Sequence, residues 1–286
     1  MTETASDPKR TVAFQGDWGA YSHLACAEAM PDYTPLPCET FDAAFQAVSE
    51  GRAARGMIPI ENSVAGRVAD IHHLLPNSDL FIIGEHFQRV NHQLLGLPGA
   101  GLDAVREVHS HIHALSQCRK VIKELGLKAI VHADTAGACR MVAEEKDSSV
   151  AAIGSSLAAE SYGLETLRQN VQDHDNNITR FVIMARERIV PHPKDGPVMT
   201  TFIFGVRSVP AALYKALGGF ATNSINITKL ESYMLEGSFE QAQFYADIEG
   251  HPDDPAVARA FEELQFFCTV FKILGTYPKH PFREGD

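Results

Sequence analysis

The segment that decides the fold reads Met57-Ile58-Pro59-Ile60-Glu61-Asn62-Ser63-Val64-Ala65-Gly66. Its apolar first half predicts a short buried strand, and the residues from Val64 to Leu75 have helical spacing. Small and hydroxyl-bearing residues join the two parts. Such a strand–turn–helix unit is typical of an α/β fold with a largely parallel sheet.

The same alternation of strands and helices extends from Thr11 to about Arg186. Two more turns share the design: Gly16 to Ser22 after one strand, and Ser110 to His113 after another. Because a helix start presents free N–H groups, the three turns predict anion sites at the carboxyl ends of strands. Each turn alone is better explained as an ordinary helix cap, and it is their combination that favours anion sites. The number of elements predicts two lobes with a cleft.

The order of the predicted strands and helices changes after the segment from Val190 to Pro197. This segment contains three prolines and is typical of a linker. Beyond it the predicted elements run βαββαβ over about 80 residues, the ferredoxin-like order. Such a sheet leaves an edge available for pairing, so the sequence predicts self-association through this domain.

The composition excludes several classes of protein. With 25 Lys and Arg against 36 Asp and Glu, the formal net charge is −11, which argues against nucleic acid as a partner. The first ten residues do not resemble a signal peptide, and no run predicts a transmembrane helix. The five cysteines form no Cys-x-x-Cys motif, so we expect reduced thiols and a cytoplasmic protein.

Thr179 and Arg180 place a hydroxyl beside a permanent cation, at the start of a predicted strand. A site that holds a small dianion and protonates a leaving group needs both groups. In a regular strand, however, Thr179 shares a face with Phe181 while Arg180 points the other way. A structural salt bridge is therefore an alternative role for Arg180.

Four segments together resemble the prephenate dehydratase family. They are Pro59 to Ser63 followed by Gly66; Ser110-His111 with Ala114-Leu115 and Gln117-Cys118; Asn177-x-Thr179-Arg180-Phe181; and the tail motif Ile225 to Ser232 with Leu213 and Asp247-x-Glu249-Gly250-His251.

The resemblance implies a two-lobed α/β catalytic region with a cleft, of the periplasmic-binding-protein type II, followed by an α+β ferredoxin-like ACT domain. The implied organisation is a disordered N-terminus at 1–9, a catalytic domain at 10–188, a linker at 189–198 and a regulatory ACT domain at 199–286. Lobe 1 comprises about 10–88 and 168–188, and lobe 2 about 89–167.

The implied activity is the decarboxylating dehydration of prephenate to phenylpyruvate, without a cofactor or a metal. The expected catalytic residues are Thr179, Arg180 and Asn177. The expected substrate-binding residues are Ser22, Glu61, Asn62, Ser63, Gly66, Ser110, His113 and Phe181. For Glu61 a structural contact at the strand end is an equal alternative. The alternating His109, His111 and His113 lack a recognisable fourth ligand, which argues against a metal site.

The resemblance also implies phenylalanine as an allosteric effector, bound by Ala211, Ala212, Leu213, Asn226, Glu231 and Ser232. This chain departs from the family there: Ala211 replaces a usual Gly, and Tyr233-Met234 replace a usual Arg-Pro. In the catalytic region, Ile112-His113 replace Pro-Gln and Ala20-Tyr21 replace Thr-Phe. Two alternatives remain open: arogenate as the substrate, and a two-lobed protein that binds a small anion without turnover.

Overall fold

A computed structural model of the chain describes residues 7–234 and 242–285. The described residues form two compact units. The first comprises residues up to Val68 together with His86–Phe181, and the second comprises Ala69–Glu85 together with residues from Val182 onward. The domain limits expected from the sequence stay a prediction.

Strands and helices alternate through the first two-thirds of the chain, as the sequence predicts. The strands are β1 (Thr11–Gln15), β2 (Thr34–Cys38), β3 (Arg55–Asn62), β4 (Gly66–Arg67), β5 (Phe81–Arg89), β6 (Gln93–Gly96), β7 (Glu107–Ser110), β8 (Lys128–Val131), β9 (Val150–Gly154), β10 (Glu165–Arg168) and β11 (Ile178–Ala185). The helices are α1 (Tyr21–Ala29), α2 (Phe41–Ser49), α3 (Ile71–Leu74), α4 (Ile112–Gln117), α5 (Arg119–Glu124), α6 (Thr135–Glu145) and α7 (Ser156–Tyr162).

These strands form two sheets. The first has the order β2-β1-β3-β11-β5, with β4 paired to β3, and β1 runs parallel to both β2 and β3. The second has the order β10-β6-β9-β7-β8. Here β7 is parallel to β8 and β9, whereas β6 is antiparallel to β9 and β10. The second sheet is thus mixed and departs from the largely parallel arrangement that the sequence predicts.

Strand β9 lies at the centre of the second sheet and is buried along its whole length. Ala151 and Ile153 belong to one apolar cluster, while Val150 and Ala152 belong to another. Because successive residues of a strand point to opposite faces, both faces of this sheet are covered. The uninterrupted apolar sequence of β9 follows from this double burial.

The predicted helix from Val64 to Leu75 is wrong over its first half. Instead, β4 turns back antiparallel to β3, and only Ile71–Leu74 is helical. Gly66 has φ +81°, a left-handed conformation that suits a turn and not a helix. No helix therefore begins directly after β3, and the anion site expected from a helix start at this turn has no structural basis.

The C-terminal sheet has the predicted ferredoxin-like architecture. Its elements in chain order are β12 (Val198–Val206), α8 (Ala212–Thr222), β13 (Ile227–Met234), β14 (Ala242–Glu249), α9 (Pro255–Phe267) and β15 (Cys268–Pro278). The strand order is β13-β14-β12-β15, with every pair antiparallel. Phe202 on the sheet contacts Phe220 of α8 and Phe261 of α9, with ring centroids 5.8 and 5.1 Å away. This aromatic cluster fixes both helices on one face of the sheet.

The predicted disordered N-terminus, residues 1–9, falls partly outside the described residues, which begin at Asp7. The side chain of Asp7 caps a 3-10 helix, Pro8–Arg10, so residues 7–9 are not the unstructured segment expected from the sequence. Within the described ranges, no helix has both the length and the apolar character that crossing a bilayer would need.

Candidate active site

A hydrogen-bonded cluster joins three of the predicted site residues. Asn62 Nδ2 donates to Thr179 Oγ1 at 2.9 Å and to Asn177 Oδ1 at 2.7 Å. Asn62 ends β3 and Thr179 is the second residue of β11, and these two strands are neighbours in the first sheet. Strand pairing therefore brings together two motifs that lie 115 residues apart in the sequence.

The cluster continues through three side chains that the sequence analysis did not assign to the site. Asn177 Nδ2 donates to Gln117 Oε1 at 2.7 Å, and the same oxygen lies 2.9 Å from His92 Nε2. His92 Nδ1 in turn lies 2.8 Å from the hydroxyl of Tyr21. Tyr21 and Gln117 belong to motifs that the sequence singled out, but His92 follows a strand without any motif that could have indicated it.

Ser63 fixes the start of β11 beside this cluster. Its hydroxyl donates to the Asn176 carbonyl at 2.6 Å and accepts from the Ile178 N–H at 2.9 Å. Its own N–H donates to the Ile178 carbonyl at 2.8 Å. Ser63 thus holds the backbone on both sides of Asn177, and the predicted substrate-binding hydroxyl is already engaged in this contact.

Two hydrogen-bond donors of the cluster have hydrogen atoms without an acceptor in the described residues. Thr179 Oγ1 accepts from Asn62, and across residues 7–234 and 242–285 its hydroxyl proton has no acceptor. The amide nitrogen of Gln117 likewise donates to no group in those ranges. Both side chains are only partly buried, so both can offer a hydrogen bond to a bound molecule.

His92 is buried and stays neutral at neutral pH. Burial lowers its pKa, and the hydrogen bond with Gln117 opposes this effect only in part. The pKa of the Tyr21 hydroxyl is raised well above its ordinary value, mainly by burial, so Tyr21 keeps its proton as well. The two rings therefore meet as neutral groups, with a centroid distance of 5.5 Å and an interplanar angle of 80°.

Because burial lowers the pKa of His92, we expect the stability of the protein to depend on pH. Below about pH 6.5 the unfolded chain binds a proton at this residue that the folded chain excludes, so stability falls as the pH falls. We expect wild type to lose more unfolding free energy than His92→Gln between pH 7.5 and 5.5. Urea unfolding of both proteins at the two pH values measures this difference. Equal losses in the two proteins would show that His92 titrates normally.

Arg180 does not share the environment of Thr179. Its guanidinium is 3% exposed, and Nη1 lies 3.1 Å from Glu61 Oε1 on the neighbouring strand. Thr179 and Arg180 thus contact successive residues of β3, Asn62 and Glu61, as expected when neighbouring residues of a strand point to opposite faces. The salt bridge named as the alternative for Arg180 is present, and the same contact supports the structural alternative for Glu61.

The remaining predicted substrate-binding residues lie in different surroundings. Ser110 is fully buried and donates to the Ile153 carbonyl at 2.7 Å, which links β7 to β9. Phe181 is 1% exposed and belongs to the core. Gly66 and His113 are exposed, and the ring of His113 lies beside that of His111 at 5.1 Å. In the described residues, the side chains of Ser110, Phe181 and His113 make no hydrogen bond to the cluster, whereas Gly66 is the cross-strand partner of Asn62.

A cavity of about 830 Å³ opens beside Tyr21 and Ser22. One wall is the turn from Gly16 to Ser22, and the opposite wall is the start of α6 with Arg140. Arg140 Nη1 lies 2.6 Å from Asp17 Oδ2, so an ion pair connects the two walls. Of the predicted residues, Ser22 lines this cavity, and the sequence analysis missed Arg140.

The predicted effector residues are divided between two places in the C-terminal domain. Ala211, Ala212 and Leu213 line a cavity of about 460 Å³ at the start of α8. Ala211 has φ +62°, the conformation that the usual Gly of the family adopts without strain. Asn226 and Glu231 are instead paired with Glu249 and Lys229, at 2.8 and 2.7 Å, and Ser232 lies in the same strand as Glu231, β13.

A metal centre has no support in the described part of the chain. No group of three or more His, Cys, Asp or Glu side chains is placed there to hold an ion. His109 lies 3.7 Å from Glu107, whereas His111 accepts a hydrogen bond from the N–H of His113 at the start of α4. The contact of His109 is therefore separate from the contact between His111 and His113.

Comparison with known proteins assigns the chain to a family. The model of the family described as prephenate dehydratase matches residues 12–189. A bifunctional N-acyl-homoserine lactone acylase/prephenate dehydratase of Komagataeibacter europaeus is 54% identical over 276 residues, covering 96% of this chain and 98% of that protein. Arogenate dehydratase/prephenate dehydratase 1 of Arabidopsis thaliana is 40% identical, covering 95% of this chain and 73% of that protein.

A solved structure supports the same assignment. Prephenate dehydratase from Arthrobacter aurescens, in complex with L-Phe, superposes with a TM-score of 0.85 at 29% identity, covering 94% of this chain and 90% of that one. The sequence resemblance to this family is thereby confirmed over nearly the whole chain. The protein belongs to the prephenate dehydratase family and is a dehydratase of the lyase class.

Proposed function

We propose that the chain converts prephenate to phenylpyruvate, CO2 and water in phenylalanine biosynthesis. The ring carboxylate leaves as CO2, and its bonding electrons enter the ring. The bond from the ring to the 4-hydroxyl then breaks, and the departing oxygen takes up a proton to become water. Since the ring becomes aromatic, the reaction needs no covalent intermediate and no cofactor. The protein must hold two carboxylates and deliver one proton.

The observation that supports this proposal best is the state of the Thr179 hydroxyl. It accepts a hydrogen bond from Asn62, and its own proton has no acceptor among the described residues. A hydroxyl held in this way directs its hydrogen towards a bound molecule. Because an alcohol is a very weak acid, Thr179 orients the leaving group and relays a proton from water or from a stronger acid. Asn177 and Asn62 hold it in place.

A cation is also needed for the substrate carboxylates. Arg180 is buried in its pair with Glu61, whereas Arg140 is half-exposed on the cavity wall and pairs with Asp17. We therefore infer that a substrate carboxylate replaces Asp17 as the partner of Arg140, in a charge-assisted hydrogen bond.

The role of Arg140 predicts a defect in binding. Loss of a hydrogen bond to a charged group costs about 1.5–3 kcal/mol, so Arg140→Met should raise KM about 10- to 100-fold. A smaller change is expected in kcat, because Arg140 is not assigned to the proton transfer. Steady-state kinetics on prephenate, with Arg106→Met as a control for the loss of a positive charge, measures this. Unchanged KM in Arg140→Met would assign the carboxylate to another group.

The substrate itself is tested directly. Purified protein is incubated separately with prephenate and with arogenate, and phenylpyruvate and phenylalanine are followed. Arogenate carries an amino group where prephenate has a keto group, and a curated relative is named for both activities. Turnover of arogenate alone would replace prephenate as the substrate, and turnover of neither would contradict the proposed reaction.

A second candidate activity is the hydrolysis of N-acyl-homoserine lactones. It is supported by the 54% identity, over 96% of this chain, to a relative named for both activities. Release of homoserine lactone from an acylated substrate measures it. Parallel assays of Thr179→Val would show whether the two activities share a site.

Regulation by phenylalanine through the C-terminal domain is part of the proposal. A related structure holds L-Phe, and Ala211 to Leu213 line a cavity in this chain. The same assays with and without added phenylalanine test it. Phenylalanine at millimolar concentration that leaves the rate unchanged would remove this effector.

Self-association through the C-terminal domain is proposed as well. Strand β13 lies at one edge of the sheet, with Leu230 and Met234 over 40% exposed. An edge strand with exposed apolar residues favours pairing with a second copy. Light scattering during size-exclusion chromatography measures the mass, and a monomer of 31.3 kDa would contradict the proposal.

The cytoplasmic location proposed from the sequence is supported by the five free cysteines, which a reducing compartment maintains.

A further inference from the structure

The hydrogen-bonded cluster around Thr179 has a direction that is fixed at one end. Asn62 Oδ1 accepts from the backbone N–H groups of Val64 and Ala65, at 3.0 and 2.8 Å. A backbone N–H can only donate, so the oxygen of Asn62 must face these two groups. Its Nδ2 must then face Asn177 and Thr179, and no rotation of the amide satisfies both sides.

This direction passes from one side chain to the next. Since Asn62 donates to Asn177 Oδ1, the Nδ2 of Asn177 faces Gln117 Oε1. That oxygen carries no hydrogen, so the nitrogen of His92 at 2.9 Å, Nε2, must carry one. The anchored amides therefore select the Nε2–H form of His92.

The other ring nitrogen of His92 then needs a donor. In a neutral ring with hydrogen on Nε2, Nδ1 has a lone pair, and it lies 2.8 Å from the hydroxyl of Tyr21. Tyr21 has a single proton and a second possible acceptor, the Asn91 carbonyl at 3.1 Å. Donation to His92 is the arrangement that leaves no lone pair of the buried ring without a partner.

We propose that Tyr21 and His92 are positioning residues for Thr179. Tyr21 holds His92 in the Nε2–H form, and His92 then donates to Gln117 Oε1, which keeps Gln117 and Asn177 in place against the anchored Asn62. With Asn177 Oδ1 held as the second acceptor of Asn62 Nδ2, the Asn62 amide stays placed against Thr179 Oγ1, and the hydroxyl proton of Thr179 points to the substrate. This inference rests on the proposed dehydration, and neither Tyr21 nor His92 is required to touch the reacting atoms.

Removal of the Tyr21 hydroxyl tests the proposal. Without a donor at Nδ1, the ring of His92 can carry its hydrogen on either nitrogen. In the Nδ1–H form it no longer donates to Gln117 Oε1, so Gln117 and Asn177 are held less firmly beside Asn62. Tyr21→Phe should therefore lower kcat about 10-fold, with KM within about twofold of wild type. Tyr33→Phe removes a phenol of the same unit whose hydroxyl makes no hydrogen bond within the described residues, and it should keep wild-type kcat.

Two replacements of His92 distinguish the effect of its hydrogen bond on kcat from the effect of its size. His92→Gln can return an N–H donor near the position of Nε2, whereas His92→Leu cannot. We expect kcat to fall in His92→Leu and to recover in part in His92→Gln. Equal kcat values in the two variants would indicate a packing role and overturn the proposal.

Nitrogen-15 NMR of histidine-labelled protein reports the tautomer directly, with the His92 signal assigned by its loss in His92→Gln. The expected result is Nε2–H in wild type and a shift towards Nδ1–H in Tyr21→Phe. A wild-type ring with hydrogen on Nδ1, or a Tyr21→Phe variant with kcat within twofold of wild type, would overturn the inference. Absence of turnover by wild type would instead contradict the proposed function. The NMR measurement would then still test the tautomer of His92 and the direction of the hydrogen bonds, without any bearing on catalysis.

Discussion

Thr179→Val is expected to lower kcat about 10²- to 10⁴-fold, the usual contribution of a positioned proton donor. Valine keeps the branched shape that suits the second position of β11, so the strand should form normally. What it lacks is the oxygen that accepts from Asn62 and the proton that no described residue uses. Asn62 remains held by Val64, Ala65 and Asn177, so the site should stay intact around the missing hydroxyl.

The measurement separates chemistry from binding and from folding. Steady-state kinetics on prephenate gives kcat and KM, and circular dichroism gives Tm. Thr179→Ser is the matched control, because it restores the hydroxyl and removes only a methyl group; it should recover most of the lost rate. A Thr179→Val enzyme with kcat near that of wild type would show that another group delivers the proton.

The fold was largely predictable where the pattern of apolar residues is regular. The βαββαβ order that contains the helix Pro255–Phe267 was expected, because an amphipathic helix and a half-buried strand have distinct periods. Strand β2 was not expected. Its sequence, Thr34-Pro35-Leu36-Pro37-Cys38, contains two prolines that argue against a strand, yet prolines are tolerated at the sheet edge where β2 lies.

The candidate site was predictable only in part, for a different reason. Asn62, Asn177 and Thr179 belong to recognisable motifs, and the structure brings them together. His92 lies between β5 and β6 and enters the site because the fold places it beside Gln117, a contact of three-dimensional packing without a local sequence pattern. Conversely, Ser110 was expected to bind substrate because its hydroxyl lies at the end of a strand, but this hydroxyl donates to the Ile153 carbonyl.

The second large effect concerns a buried ion cluster in the second unit. Arg283, close to the C-terminus, makes two hydrogen bonds to Glu85, with Nε to Oε1 at 2.7 Å and Nη2 to Oε2 at 2.9 Å. Its Nη2 also lies 3.7 Å from Asp247 Oδ2. The side chains of both carboxylates are 0% exposed. The guanidinium of Arg283 thus faces two acidic side chains that have no access to water.

Arg283→Met should therefore destabilise the protein by about 3–5 kcal/mol, the usual cost of removing one partner of a buried ion pair. Glu85 would lose its two-point contact with a cation and keep the N–H of His280 at 3.4 Å, and Asp247 would keep the hydrogen bond from Thr201 at 2.6 Å. We expect the larger part of the cost at Glu85, because its contact with Arg283 is the shorter and bidentate one. Chemical denaturation at neutral pH measures the loss. Arg259→Met, which removes an exposed arginine of the same unit, should change stability by no more than about 0.5 kcal/mol.

A double-variant cycle assigns the cost to the buried charge. If Glu85 is the source, then Glu85→Gln should recover part of the stability when it is added to Arg283→Met, although alone it removes a charged acceptor from Arg283. Two substitutions with simply additive losses would mean that Glu85 and Arg283 act independently. Since the two residues are 198 positions apart, a measured coupling would also show that the C-terminal end holds the Ala69–Glu85 segment through this pair.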